Sequence, residues 1–433
     1  MKSLYLALIT LLFSLPAYAL APVQEVVSKE GIKAWLIEDH TNPIVALKFA
    51  FRGGSALDPV GKEGLARLAS ATMDEGAGDM GSQAFQAKLE DLSVTLRFEA
   101  NMDEFGGYVT TLRENLAPAT QMLRTALSAP RFDKEPVERI SAQLLASLRQ
   151  SEEDPNSVAA RTLYKSIFGD HPYGRGSKGT IDGIKNITQQ DLKNFAKTRL
   201  GKDNLVVGVA GDITPDDLKK LLDDVFGPLP DKASPWKIAK AQPVFFKDLK
   251  VIDKPVPQSS ILFAQKGIDR HDPDFYPAYV LNYILGGGGF SSRLTEEVRE
   301  KRGLVYSVYS YLANYDQANL WLAGAGTQNA RVKETLDVIR HEWKKAATEG
   351  ITAQEVQDAK TYLTGSFALR FNSSDTIAAI LVGMQKDNLP IDFLETRNKQ
   401  VEAVSLEDVN RIAKTLLQPQ NLSAIVVGQP EGL

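Results

Sequence analysis

Residues 191–211 read DLKNFAKTRLGKDNLVVGVAG, and residues 408–428 read DVNRIAKTLLQPQNLSAIVVG. When Asp191 is placed on Asp408, an Ala-Lys-Thr triplet, a Leu, an Asn-Leu pair, a Val and a Gly also coincide. A second match, between LKFAFRGGSALDP (47–59) and ILFAQKGIDRHDP (261–273), has nearly the same offset along the chain. Because so long a period is not that of a solenoid repeat, the two matches predict two homologous domains.

The order of predicted strands and helices is similar in the two halves and indicates the fold class. Hairpin-linked strands with clustered helices predict an α+β protein of two homologous domains, each an antiparallel β-sheet with helices packed on one face. The predicted strands lie around Gly31, near 44–52, 92–100, 103–112 and 204–210, and then near 248–253, 257–266, 303–312, 317–326 and 421–427. The domains are expected at 20–226 and 250–433, joined by a linker at 227–249 that is rich in Pro and Lys.

The N-terminal residues 1–19, MKSLYLALITLLFSLPAYA, have the pattern of a secretory signal peptide. Lys2 gives a basic start, an apolar run follows, and Ala17-Tyr18-Ala19 is a small-x-small cleavage site. The alternative, a membrane anchor, is disfavoured because a span needs about 20 apolar residues. We expect a mature periplasmic chain without a membrane span. The net charge of −4 gives no general attraction for nucleic acid, and the absence of cysteine excludes disulfides and thiolate metal sites.

Familiar catalytic motifs are missing from the sequence. It contains no G-x-S-x-G nucleophile elbow, no phosphate-binding glycine loop and no G-x-G-x-x-G motif. An S-x-x-K match, Ser234 to Lys237, falls in the predicted linker and is best explained by chance. The four histidines, His40, His171, His271 and His341, are scattered, so no two share a helical turn. The sequence therefore contains no evident zinc-binding cluster within a single chain.

Four stretches nevertheless resemble a known family. They are DPVGKEGLARL, HPYGRGSKGTIDGIKNITQQDL, NLVVGVAGDITPDDL and LGGGGFSSRLTEEVREKRGLVYSVYS. In this order, on a duplicated chain, they resemble the pitrilysin/insulinase-type (M16) zinc metallopeptidases, specifically the short two-domain kind related to mitochondrial processing peptidase subunits. The resemblance covers essentially the whole predicted mature chain and implies an M16/LuxS-like metallohydrolase fold.

The chain departs from that family at the zinc site. Active members carry H-x-x-E-H on the helix after the D-P-x-G-x-x-G stretch, with two zinc-binding histidines and a glutamate base. Here the corresponding places hold Arg67, Ser70 and Ala71, and the place of the third ligand falls at Ala146 or Ser147. None of these side chains suits a first-row metal. We therefore expect no zinc in this chain and interpret the Arg67 face as a relic, bonded to Asp74 or to a partner chain.

Two features of the second half match functional positions of the family. In RLTEEVREKRGLVYSVYS, Arg299 and Tyr306 have the spacing of the Arg/Tyr pair that reaches the substrate bound at the zinc. An arginine and a phenol can donate hydrogen bonds to a peptide carbonyl and to a developing oxyanion. The run of Gly286, Gly287, Gly288 and Gly289 resembles the glycine-rich loop associated with substrate recognition in non-catalytic processing-peptidase subunits. The alternatives are an ordinary surface charge, a strand aromatic and a helix-ending turn.

These features together predict a non-catalytic, substrate-binding subunit of a periplasmic zinc peptidase. It would pair with a separate, homologous chain that carries H-x-x-E-H and the zinc, and its Arg/Tyr pair would complete that partner's site. One alternative is a stand-alone peptide-binding or chaperone-like protein that cleaves nothing. Another is a peptidase that is active alone through an unrecognised site. A neighbouring gene for a family member with H-x-x-E-H but without the Arg/Tyr pair would favour the subunit over the stand-alone protein.

Overall fold

The computed structural model describes residues 21–433, so the predicted signal peptide at 1–19 lies outside the described residues. The first half contains a six-stranded sheet and a two-stranded ribbon. Its strands are β1 (Gln24–Val27), β2 (Lys33–Glu38), β3 (Ile44–Arg52), β4 (Gly76–Ala77), β5 (Met80–Gly81), β6 (Thr95–Ala100), β7 (Glu104–Leu112) and β8 (Leu205–Gly211). Its helices are α1 (Leu65–Ser70), α2 (Ser82–Asp91), α3 (Leu116–Ser128), α4 (Lys134–Glu153), α5 (Pro155–Phe168), α6 (Ile181–Lys185), α7 (Gln189–Arg199) and α8 (Pro215–Phe226).

The second half contains a five-stranded sheet. Its strands are β9 (Lys250–Asp253), β10 (Gln258–Lys266), β11 (Val305–Tyr315), β12 (Ala318–Gln328) and β13 (Ser423–Gly428). Its helices are α9 (Phe275–Asn282), α10 (Val332–Thr348), α11 (Ala353–Gly365), α12 (Ser374–Lys386), α13 (Phe393–Glu402) and α14 (Leu406–Leu416). The segment between Phe226 and Lys250 carries neither a helix nor a strand. Among residues 21–433, no helix has an apolar stretch of the length that a membrane span requires.

The two sheets share a strand order, as the repeat predicts. The first runs β1-β2-β8-β3-β7-β6 and the second β9-β13-β10-β12-β11, so β9 corresponds to β2 and β1 is an additional edge strand. The repeated sequence occupies α7 and β8 in one half and α14 and β13 in the other. Both repeated helices begin with a capping box, Thr188 with Asp191 and Ser405 with Asp408. The coincident Asp of the repeat is thus the third helical residue of each capping box, which accepts a hydrogen bond from the backbone N–H of the N-cap residue.

The fold class is confirmed, with two additions. Each sheet contains one parallel pair, β2 with β8 and β13 with β9. The face of each sheet opposite to its own helices is also covered, because α12 of the second half packs on β8 and β3, and α5 of the first half packs on β10 and β13. The two halves therefore exchange one helix each.

Both exchanged helices bury an apolar face against the other half. Ile377, Ala378 and Leu381 of α12 join Ile37 and other residues of the first sheet in one cluster. Ala159, Leu163 and Ile167 of α5 join a cluster with Ile425 and other residues of the second sheet. The guanidinium of Arg52 donates to the carbonyls of Gln385 and Lys386 at 3.2 and 2.8 Å, at the end of α12 where a positive charge is favoured. Packing and capping together hold the halves against each other.

Gly208 of β8 lies where α12 approaches the sheet closely, so we predict that Gly208→Ala weakens this contact. A Cβ there would stand 2.5 Å from the carbonyl oxygen of Ala378 and 2.9 Å from the Cβ of Leu381. Overpacking of this kind costs about 1–3 kcal/mol of unfolding free energy. The control is Gly326→Ala in β12, where a Cβ meets nothing within 4 Å. Urea unfolding of both variants measures the difference, and equal stability of the two would contradict the prediction.

Candidate functional site

Helix α1 carries the face that corresponds to the zinc site of the resembling family. Its N-terminus is held by the buried carboxylate of Asp58, which accepts hydrogen bonds from the backbone N–H groups of Gly64 and Ala66 at 3.0 and 3.1 Å. Burial raises the pKa of Asp58 to about 6, and nearby Arg199 opposes that shift. The apolar residues of α1 and of the turn after it belong to the core, since all of them are buried: Leu65, Leu68, Ala69 and Met73.

The opposite face of α1 does not fit a metal ion. Arg67 is exposed, Ser70 is buried and donates its hydroxyl hydrogen to the carbonyl of Arg67 at 2.9 Å, and Ala71 offers no ligand atom. Ala146 and Ser147 lie exposed on α4, which packs against α1. A guanidinium would repel a cation, and an alanine cannot replace a histidine or a glutamate as a ligand. Among residues 21–433, no group of three or more His, Asp or Glu side chains is arranged to hold a metal.

The structure corrects the expected bond between the Arg67 face and Asp74. Helix α1 ends at Ser70, so Asp74 lies in the following turn and not on the helical face of Arg67. The carboxylate of Asp74 is paired with Arg97 of β6, at 3.4 Å, and not with Arg67. The helical spacing of the sequence does not show this pair, because Arg97 is on a strand of the sheet and not on the helix. Burial raises the pKa of Asp74 to about 6, against the opposing charge of Arg97.

This raised pKa predicts that Asp74→Asn stabilises the protein at high pH. The folded carboxyl binds its proton more tightly than the unfolded one, so the contribution of Asp74 to the unfolding free energy of the wild type falls as pH rises from about 4 to about 6. Asparagine has no such penalty. The unfolding free energy of Asp74→Asn relative to that of the wild type should therefore be about 2–3 kcal/mol higher at pH 8 than at pH 4. Chemical denaturation at pH 4, 6 and 8 tests this, with the exposed Asp91→Asn as control. A pH-independent difference between Asp74→Asn and the wild type would refute it.

Arg299 and Tyr306, which the sequence predicts as a pair, are brought together in the structure. The guanidinium of Arg299 lies 5.8 Å from the centre of the Tyr306 ring and 4.8 Å from the centre of the Phe290 ring. Tyr306 is 85% exposed and Phe290 is 72% exposed. The carboxylate of the neighbouring Glu300 lies 3.5 Å from the Nε of Arg299. We call these three side chains, Phe290, Arg299 and Tyr306, the Arg/aromatic cluster.

Arg299 and Tyr306 each lie where the backbone departs from regular secondary structure. Arg299 lies in a π-helical segment, Thr295–Glu300, and such segments are frequent at functional sites. Tyr306 is the extra residue of a β-bulge, since Val305 pairs with Thr327 and Ser307 with Gly326 on β12. A bulge leaves one residue unpaired and changes its direction. The resemblance to the family predicts the pair, and these two irregularities explain how the side chains meet.

The glycine-rich loop is packed more tightly than the run of glycines suggests. A Cβ on Gly286 would lie 2.6 Å from the hydroxyl of Ser310, and one on Gly287 would lie 2.6 Å from the amide nitrogen of Asn282. A Cβ on Gly288 would lie 2.7 Å from the carbonyl oxygen of Tyr283. Gly289 has open space around it but a φ of +56°, which favours glycine. The four glycines form a tightly packed loop that leads directly to Phe290. The sequence analysis does not predict a role for Phe290.

A cleft of about 700 Å³ lies between the two halves. Tyr309, Tyr311 and Tyr315 of β11 line one side, and Tyr164 of α5 lines another. The hydroxyls of Tyr164 and Tyr315 are 2.5 Å apart, and the rings of Tyr309 and Tyr311 stack at 6.1 Å. Arg161 also lines the cleft and makes no salt bridge within the described residues. The cleft therefore combines a group of tyrosines with charged side chains of both signs, among them Arg161 and Asp316.

Comparison with known proteins gives consistent matches. The family model described as Insulinase (Peptidase family M16) matches residues 33–180, and the model described as Peptidase M16 inactive domain matches residues 186–363. The non-peptidase homolog YmxG of Helicobacter pylori is 29% identical over 90% of this chain and 90% of that relative. The uncharacterized zinc protease YmxG of Bacillus subtilis is 26% identical over 74% of this chain and 77% of that relative. The crystal structure of a peptidase M16 inactive domain from Pseudomonas fluorescens is similar with a TM-score of 0.88 and 30% identity, covering 94% of this chain and 98% of that one.

Proposed function

The chain belongs to peptidase family M16, and from this premise we propose that it is a non-catalytic, substrate-binding subunit of a zinc peptidase. It pairs with a separate, homologous chain that carries H-x-x-E-H, and it supplies the Arg/aromatic cluster to that partner's site. Cleavage of the predicted signal peptide delivers it to the periplasm. The name of the Helicobacter pylori relative, a non-peptidase homolog, supports the absence of catalysis by this chain alone.

One contrast within the chain carries the proposal. The positions that would bind zinc hold side chains that cannot do so, whereas Arg299 and Tyr306 lie together, with Arg299 partly exposed and Tyr306 largely exposed. A folded chain gains no stability from leaving a tyrosine 85% exposed. The assembled pair is thus explained by a ligand that arrives from outside, and the metal that the pair serves belongs to another chain.

The chemistry assigned to this chain is hydrogen-bond donation. The guanidinium of Arg299 has five N–H donors and no acceptor. Tyr306 adds one O–H donor close to that guanidinium, because its ring lies beside it. Donors held in place before the reaction stabilise the negative charge that develops on a peptide carbonyl oxygen. The proposed role is therefore to bind the peptide carbonyl and to stabilise its oxyanion, while water activation takes place in the partner.

The cleft favours a second candidate function. Its stacked tyrosines and the free Arg161 could hold an extended peptide without cutting it, as a stand-alone binding protein would. Fluorescence anisotropy of a labelled peptide with this chain alone distinguishes the two. Binding that is unchanged by addition of the zinc-bearing subunit supports the stand-alone protein, and binding that tightens with the partner supports the subunit.

Native mass spectrometry tests the pairing. A family member encoded in the same genome, with H-x-x-E-H and without the Arg/Tyr pair, is mixed with this chain. We expect a heteromeric complex that contains one zinc for each partner chain and none for this chain. Two separate species, or zinc in proportion to this chain, would contradict the proposal.

A further inference from the structure

Phe290 stands out because its exposure coincides with a specific contact. Within residues 21–433 it is the one strongly exposed phenylalanine. A single exposed apolar residue needs no explanation on a protein surface. This ring, however, lies 4.8 Å from the guanidinium of Arg299, which is closer than the ring of Tyr306 at 5.8 Å. The contact connects the glycine-rich loop with the Arg/Tyr pair.

The contact leaves the donors of Arg299 available. A guanidinium stacks on aromatic rings through its planar face, and its N–H groups point outward in the plane. The salt bridge of Arg299 is to Glu300, its neighbour in sequence, at 3.5 Å. The side chain of Arg299 is 34% exposed. Two rings thus hold the guanidinium while most of its hydrogen-bonding capacity remains free.

The loop that carries Phe290 is fixed by its own packing. Gly286 and Gly287 are pressed against Ser310 and Asn282, whose side chains are hydrogen-bonded to each other at 2.9 Å. On the far side of Phe290, the hydroxyl of Ser292 donates to the carbonyl of Gly289 at 2.8 Å. The absence of side chains on the glycines allows this close approach, and larger residues would displace the loop. Phe290 therefore lies in a loop whose conformation is fixed by close packing and hydrogen bonds.

We propose that Phe290 is a positioning residue that holds the Arg299 guanidinium in place for a bound peptide. Its ring limits the rotation of a long side chain that would otherwise lose entropy on binding. The glycine run contributes by bringing this ring to Arg299, and its backbone does not need to touch the peptide. The role in peptide cleavage rests on the proposed function, whereas the positioning of Arg299 is a property of the isolated chain.

Side-chain NMR tests the positioning without a partner. The Nε–Hε signal of Arg299, assigned by its loss in Arg299→Lys, is followed by ¹⁵N relaxation. We expect an ordered signal in the wild type and in Phe290→Tyr, which keeps the ring, and a mobile one in Phe290→Leu. The control is Tyr362→Leu, because Tyr362 is an exposed aromatic whose ring lies against that of Tyr283, 5.2 Å away. An equally ordered Arg299 in Phe290→Leu would overturn the proposal.

Turnover of a quenched fluorescent peptide by the complex gives the second readout. Phe290→Leu should lower kcat by roughly three- to tenfold, with KM little changed, and Phe290→Tyr should restore it. If Arg299→Ala lowers turnover and Phe290→Leu does not, the positioning role is wrong and the proposed function stands. If the wild-type mixture cleaves nothing, the proposed function is wrong, and the NMR result decides the positioning by itself.

Discussion

Arg299→Ala in this chain should lower peptide turnover by the complex about 10²–10³-fold, although the zinc is bound by the other chain. A preorganised donor to a developing oxyanion contributes about 3–4 kcal/mol to the transition state, which corresponds to that factor. Tyr306→Phe should have an effect in the same direction, because it removes one donor and keeps the ring. The measurement is turnover of a quenched fluorescent peptide after each variant is mixed with the zinc-bearing subunit.

Folding and association should survive these substitutions. Tyr306 is largely exposed, and the ion pair of Arg299 is the weak one with Glu300. The matched control is Arg302→Ala, a little further along the chain, where an exposed guanidinium is bound to Glu297 at 2.6 Å. We expect Arg302→Ala to keep wild-type turnover. Wild-type turnover in both Arg299→Ala and Tyr306→Phe would refute the role of the pair.

Tight zinc binding should appear in this chain only when three ligands are supplied. The wild type should contain no stoichiometric zinc by elemental analysis. The variant Arg67→His, Ser70→Glu, Ala71→His restores two histidines and a base but still lacks the third ligand, so we expect weak zinc binding and no peptidase activity. Adding Ala146→Glu, or Ser147→Glu in a parallel variant, should raise the zinc affinity on the order of 100-fold or more.

The two glutamate variants also serve as controls for each other. Both positions are exposed on α4, which packs against α1, and they are adjacent in sequence. Adjacent residues of a helix point in different directions, so we expect only one of the two to face the restored histidines. About one zinc per wild-type chain, lost together with activity on chelation, would contradict the account of a degenerate site.

The sequence predicts the repeated parts of the fold well. The repeat aligns the sequence of α7 and β8 with that of α14 and β13, because the same capping and strand signals occur in both halves. The exchange of α5 and α12 is not predictable in this way. Gly208 shows why: its lack of a side chain is needed because a helix from the other half, distant in sequence, lies on it.

The candidate site is predicted only in part. The resemblance to the family indicates the pair of Arg299 and Tyr306, yet their contact depends on a π-helical segment and a β-bulge, which have no strong sequence signature. Phe290 does not emerge from the sequence because the resemblance concerns the four glycines before it. An aromatic residue that directly follows a glycine run was the available signal. The assignment of Asp74 to Arg67 was wrong because the helix ends before Asp74.

The most direct test of the central claim is a titration of peptide turnover. The zinc-bearing subunit is held at a fixed concentration, and this chain is added in increasing amounts, with each chain also assayed alone. The account predicts no cleavage by this chain alone, and turnover of the mixture that rises with added chain and then saturates. Cleavage by this chain alone, or turnover that stays at the level of the zinc-bearing subunit at every concentration, would contradict it.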